Sequence, residues 1–223
     1  MHGEVWGTGA VDVVAQQMAR IMSLDVDASQ YPEVGKRDPV VGALQELRPG
    51  LRPVNFHSPY EAATWSIISA RTPNATARRI RTELGARYGN TFGAGDTPLH
   101  AFPLPQSVLE IEEPPPGLTD EKLRRLKDVA QAALDGLLEV NALRAMGAAE
   151  AEAQLQTIRG IGPFYSQLIL VRGTGAVDRA VTAEKRLRAR ICELYGPHAD
   201  PDEIAEKWRP FRTWTAVLLR STA

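Results

Sequence analysis

The stretch Leu155-Gln156-Thr157-Ile158-Arg159-Gly160-Ile161-Gly162-Pro163-Phe164-Tyr165-Ser166 decides how this chain is read. Residues 147–158 have helical spacing and run into Gly160, and residues 163–172 resume it after the glycine pair. Glycine takes a positive φ without steric cost and lets another chain approach closely. Ile161, between the two glycines, is placed to plug the crossing of the two helices. Free amides around Gly160, Gly162 and the first turn of the next helix then point outward together and, with the helix dipole, make an anion site. On a nucleic acid that anion is a phosphate, a contact that positions a protein without reading sequence. The same spacing also serves a plain tight turn between helices, and Gly-x-Gly alone does not separate the two.

Working outward, the pattern is helical nearly throughout. Apolar residues recur at helical spacing over 10–24 and again over 38–48, with Tyr31-Pro32 and Gly35 reading as a loop between them. Arg52 to Phe56 reads as extended because Pro53 biases its neighbours that way. Ser58-Pro59, with Glu61 three residues on, signals a helix start and predicts a helix buried all round through Ala70. Pro73 opens another helix that ends near Gly89, and the Gly- and Pro-rich residues 90–104 read as a surface loop. Thr119 to Leu138 is the clearest amphipathic helix, its stripe made by Leu123, Leu126, Ala130, Ala133, Leu134 and Leu137. After a loop over 173–182, residues 183–195 and 202–221 give the last helices, the second with a kink expected at Pro210. A short piece around Glu4–Trp6 is the one strand candidate.

Composition narrows the function. The 223 residues carry 26 Lys and Arg against 27 Asp and Glu, so the net charge of −1 excludes a strongly basic nucleic-acid tail. Basic surface must be local. Arg71 to Asn90 holds five Arg and one acid, Arg159 to the end holds eleven bases and seven acids, and 101–152 compensates with ten acids and five bases. These basic stretches fit either a shared binding face or ordinary solvated helix faces. The single cysteine, Cys192, excludes a disulfide framework, a four-cysteine zinc site and a four-thiolate iron–sulfur cluster. No apolar run approaches the ~20 residues of a membrane span. The N-terminus lacks a basic region ahead of an apolar stretch, so it does not read as a signal peptide. The expected compartment is the cytoplasm.

Taken with its neighbours in order, the hairpin resembles the helix-hairpin-helix DNA glycosylase superfamily, in particular its bacterial 3-methyladenine branch. The landmarks are Pro49-Gly50-Leu51-Arg52, Ser58-Pro59-Tyr60-Glu61-Ala62, the hairpin itself, Leu170-Val171-Arg172-Gly173, and Trp208-Arg209-Pro210-Phe211-Arg212-Thr213-Trp214. The resemblance runs from about Val13 to Thr222. It implies an all-α fold of two helical lobes with a central cleft, one lobe from about 52–158 and the other from the N- and C-terminal helices. Bacterial members add an N-terminal β-rich domain; residues 1–12 read as a remnant of it and 13–223 as the glycosylase-like domain.

The resemblance also assigns roles. Backbone carbonyls of Gln156, Ile158 and Gly160 correspond to those that hold a monovalent cation, Na+ or K+, against the phosphate. Gly160, Ile161, Gly162, Pro163 and Arg71 fall at DNA-binding positions, Arg71 where an intercalating wedge sits. Phe164, Tyr165 and Trp65 are candidate walls of the base pocket, and each also reads as a core residue. Arg220 aligns with a pocket tryptophan. An ungapped alignment of the following loop puts Glu184 at the catalytic aspartate, with a side chain one methylene longer. A carboxylate there stabilises an oxocarbenium-like sugar or orients water. Glu184 equally reads as a favourable acid in a first helical turn after a Thr182 cap. Asp178 reads as structural. The Schiff-base lysine of bifunctional members is Phe164 here, which implies monofunctional chemistry without a required cofactor. The expected function is removal of alkylated purines from double-stranded DNA by a monomer. The alternative is a catalytically impaired relative that binds duplex or lesion without releasing a base.

Overall fold

The computed structural model describes residues 10–94 and 97–221. In chain order the elements are α1 (Val11–Ile21), α2 (Tyr31–Arg37), α3 (Pro39–Leu47), α4 (Pro59–Ser69), α5 (Asn74–Tyr88), β1 (Thr91–Ala94), β2 (Thr97–His100), α6 (Pro105–Leu109), α7 (Asp120–Leu134), α8 (Val140–Ala145), α9 (Ala148–Gln156), α10 (Pro163–Ile169) with a π-helical turn at Leu170–Thr174, α11 (Lys185–Tyr195), α12 (Pro201–Glu206) and α13 (Arg212–Ser221). The chain divides into two units. One comprises residues 58–174, and the other joins the segments before and after it. The boundaries thus fall at 58 and 174 rather than near 52 and 158, because the second hairpin helix and its π-helical turn pack on α4. The strand expected at Glu4–Trp6 lies outside the described residues.

The 58–174 unit is organised around α4. Ser58 caps it by accepting from the Glu61 amide at 3.1 Å, and Pro59 occupies the first turn. Ala62, Ala63, Thr64, Ser66, Ile67 and Ile68 are buried, so the helix is enclosed on most of its circumference. Gly173 gives the Arg-Gly landmark a physical reason: a Cβ there would sit 2.7 Å from the Pro59 Cα, so only glycine lets the π-helical turn lie against the start of α4. Ile80, Leu84, Leu126, Leu155 and Ile169 complete this core.

The other unit closes around Trp208, Phe211, Trp214, Leu187 and Ile191, with Val34, Val41 and Leu44 from α2 and α3. Buried Asp38 ties it together. Its carboxylate caps α3 at the Val40 amide (3.1 Å) and accepts from the Tyr195 hydroxyl (2.7 Å) and the Trp208 indole (3.2 Å).

Four local expectations differ. Tyr31-Pro32 and Gly35 lie in α2, because Pro32 is tolerated in a first turn and Gly35 permits close packing on Gly42. Within residues 90–104, β1 and β2 form an antiparallel pair with Phe92 opposite Leu99. The α7 helix ends at Leu134, and Gly136, at φ +81°, turns the chain ahead of buried Leu138. The expected kink at Pro210 is a full break between α12 and α13, since proline lacks the amide and opposes the preceding turn.

Candidate nucleic-acid interface

The hairpin folds as its glycines require. Past α9, the Thr157 and Ile158 amides bond back to Gln154 (3.1 Å) and Leu155 (3.2 Å), and Ile161 donates to the Ile158 carbonyl at 3.0 Å. Gly160 has φ +92°, and a Cβ on it would meet Arg125 Cδ at 2.8 Å and Ile67 Cδ1 at 2.9 Å. Ile161 is buried beneath the turn, the plug that the sequence suggested. Gly162 is different: its φ of −98° suits any residue, and no protein atom lies within 4 Å of where a Cβ would point. Its bareness therefore faces open space. Among the described residues the amides of Gly160 and Gly162 make no hydrogen bond, and those of Phe164 and Tyr165 in the first turn of α10 have no intrahelical acceptor. Gln156 Nε2 donates to Ser166 Oγ (3.2 Å), which donates to the Pro163 carbonyl (2.9 Å), so the two hairpin helices are stitched together. The carbonyls of Gln156 and Gly160 accept no bond among the described residues, while that of Ile158 accepts one from Ile161. Such uncharged oxygen donors are the type that suits a hard cation.

The same unit carries the aromatic candidates and Arg71. Phe164 is half-exposed, and its ring meets Tyr165 edge-on at 5.3 Å. Burial raises the Tyr165 pKa, and the nearby Ser69 at the end of α4 and the Arg71 charge oppose that rise. Trp65 is half-buried on α4. Arg71 follows α4, is exposed, and holds φ +53°. A left-handed conformation costs a non-glycine residue about 1–3 kcal/mol and persists only where its surroundings enforce it. Lys122, from the third position of α7, reaches this turn. Its ammonium donates to the Ile68 carbonyl (2.7 Å), the Ala70 carbonyl (2.8 Å) and Thr72 Oγ1 (2.5 Å).

Glu121, next to it, bonds Arg124 (2.9 Å), Arg125 (2.9 Å) and Arg159 of the hairpin (3.4 Å). These pairs hold the Glu121 carboxyl below its usual range, Arg124 first. The opening turn of α7 thus touches both the hairpin and the Arg71 turn.

Glu184 lies in the other unit. It is the N-cap residue of α11, although its side chain caps nothing. Its carboxylate instead accepts from Arg220 Nη1 at 3.0 Å, and the Arg220 Nε is buried with no partner among the described residues. Thr182, expected as the cap, donates to Asp202 of α12. Asp178 is structural, gripping Arg209 and Arg212 at 2.8 Å each. Among the described residues no three of His, Cys, Asp and Glu gather as a metal-binding group. No described helix is long and apolar enough to cross a membrane.

The sequence singled out the glycine pair, Ile161 and Arg71. It gave no sign of the contacts of Lys122 and Glu121, which sit on the charged side of an amphipathic helix where nothing in the spacing sets them apart from solvated neighbours.

No protein-family model matches the chain. It is 25% identical over 198 residues to a DNA-3-methyladenine glycosylase of Bacillus subtilis, covering 86% of this chain and 65% of that protein. It is 24% identical over 206 residues to a transcriptional activator/DNA repair enzyme AlkA of Mycobacterium tuberculosis, covering 91% of this chain and 41% of that one. The chain therefore spans less than two thirds of either relative. Among solved structures, the 3-methyladenine DNA glycosylase of Archaeoglobus fulgidus superposes with a TM-score of 0.79 at 19% identity, over 94% of this chain and 73% of that one. The chain has the helix-hairpin-helix DNA glycosylase fold, and its recognisable relatives in sequence are 3-methyladenine DNA glycosylases and AlkA proteins.

Proposed function

We propose that this protein is a monofunctional DNA glycosylase that hydrolyses the N-glycosidic bond of alkylated purines in duplex DNA. The carrying observation is the similarity to DNA-3-methyladenine glycosylase over 86% of the chain, joined to a hairpin whose Gly160 and Gly162 amides make no hydrogen bond among the described residues. In this reading the amides of Gly160 and Gly162 and the first turn of α10 hold one phosphate. The carbonyls of Gln156, Ile158 and Gly160 hold a Na+ or K+ ion that offsets its charge. Arg71 fills the gap left by the extruded nucleotide, whose removal from the stack costs a few kcal/mol. Phe164 and Tyr165, with Trp65 behind them, offer a face for the base. Glu184 is the carboxylate of the chemistry. The bond between C1′ and the purine nitrogen breaks with its electrons leaving on the base. The carboxylate stabilises the resulting sugar cation, and a water oxygen adds to C1′ as its proton departs. A cationic alkylpurine leaves readily, so modest assistance is enough. The protein acts as a monomer on double-stranded DNA in the cytoplasm, at the nucleoid.

A second reading, a binder without chemistry, is favoured by one observation: Arg220 already neutralises Glu184 at 3.0 Å. Single-turnover base release decides between them, using duplexes that carry 7-methylguanine, 3-methyladenine, hypoxanthine or ethenoadenine. Release that vanishes in Glu184→Gln is the expected result. Intact duplex binding with no release from any lesion would establish the second reading instead.

A further inference from the structure

The Arg71 turn stands out for the way it is held. A non-glycine residue in the left-handed region follows a buried helix end, and a lysine from another helix spends all three of its donors on it. Two bonds go to the carbonyls of Ile68 and Ala70, which the end of α4 leaves free, and one to Thr72 Oγ1. The partners bracket Arg71 on both sides in sequence. The chain's own bonds add the Ala70 amide to the Ser66 carbonyl, the Thr72 amide to the Ser69 carbonyl and, at 3.2 Å, Thr72 Oγ1 to the Ala70 carbonyl. The lysine pays for this with partial burial and lies close to Arg125, both of which lower its pKa. One residue earlier, Glu121 reaches Arg159 on the hairpin, and the stem of Arg125 fills the space that Gly160 leaves open.

We infer that Lys122 is the positioning residue of the lesion-recognition turn: it locks Arg71 in its left-handed conformation and, from the opening turn of α7, fixes that turn's register against the phosphate-binding hairpin. Lys122 does not touch DNA in this scheme. It acts through Arg71, so its loss matters only while Arg71 is there to be positioned. The inference rests on the glycosylase reading for what Arg71 does, and on the geometry alone for what Lys122 does.

The test has two arms on the full chain. The first is amide hydrogen exchange of the free protein. Lys122→Met keeps the stem and removes the donors, and exchange at the Ala70 and Thr72 amides should quicken at least ten-fold. Lys122→Arg should stay near the wild-type rate. The second arm is single-turnover base release in a double-mutant cycle. Lys122→Met should slow release about ten-fold in the wild-type background and have no further effect on Arg71→Ala. Unchanged exchange in Lys122→Met overturns the Lys122 inference alone. An equal loss in both backgrounds overturns it as well, by showing a general structural role. No base release by the wild-type protein overturns the glycosylase reading, and with it the part that Lys122 plays there, whatever the exchange shows.

Discussion

Gly160 and Gly162 are two residues apart, yet they are glycine for different physical reasons. Gly160 needs both its positive φ and its missing Cβ, since Arg125 and Ile67 occupy the space. Gly160→Ala should therefore lower the melting temperature, because a left-handed alanine is strained by about 1–2 kcal/mol before any clash is counted. Gly162 has an ordinary φ and empty space in front of it. Gly162→Ala should leave the melting curve unchanged and weaken duplex binding several-fold, because the methyl would stand where a phosphate is proposed to lie. A binding titration beside a thermal melt separates the two, and a Gly162→Ala protein that binds duplex normally would remove the phosphate from that turn. Glu184 and Arg220 give a second contrast. A guanidinium at 3.0 Å from the carboxylate opposes a cationic purine more than a neutral one. Arg220→Gln should raise release of 7-methylguanine about ten-fold relative to hypoxanthine, measured as a ratio of single-turnover rates. The glycines were legible in the sequence because backbone freedom marks them, and chain order drew attention to Glu184 at the start of α11. The partnership of Glu184 with Arg220, 36 residues apart, was not, because it is made by the packing of α13 near the start of α11.

At the scale of elements, legibility followed the strength of local chemistry. The start of α4 was readable to the residue, since a serine cap and a first-turn proline leave few alternatives, and the bond from the Glu61 amide to Ser58 is in place. Ser58→Ala should cost about 1 kcal/mol, the usual worth of such a cap. A denaturant melt of the full chain would register it, and an unchanged midpoint would mean that Pro59 and the buried face hold the helix start unaided. Elsewhere tertiary packing overrode the local signal. The Tyr31–Arg37 segment reads as a loop on its Pro and Gly, yet it is helical because Val34 is buried in a core assembled from distant segments. The β1–β2 pair hides in a Gly- and Pro-rich run, its one apolar cross-strand pair, Phe92 and Leu99, exposed. The break between α12 and α13 takes its length from Trp208 and Phe211, both turned into the core on either side of Pro210.

Across the whole molecule the net charge of −1 supplies no general attraction to DNA, so the proposed binding must come from local cations not already engaged. Several are engaged: Arg81 with Glu61, Arg87 with Glu83, and Arg124, Arg125 and Arg159 with Glu121. Among the described residues, the exposed cations without a carboxylate partner include Arg71, Arg78 and Arg79 in one unit and Lys185, Arg186 and Arg188 in the other. The first three alone would give a slope of log affinity against log salt of about −2.7, and all six about −5.4. A slope near the smaller value means that roughly forty-fold is lost between 50 and 200 mM salt. The hairpin amides carry no counterions, so they should not enter this slope. Arg71→Ala should therefore flatten it by about 0.9, while Gly162→Ala lowers affinity at every salt concentration and leaves the slope where it was. Titrations of the wild type and both variants across that range would show it. If Gly162→Ala flattened the slope as much as Arg71→Ala, the division between a backbone-amide phosphate anchor and a charged wedge would fall.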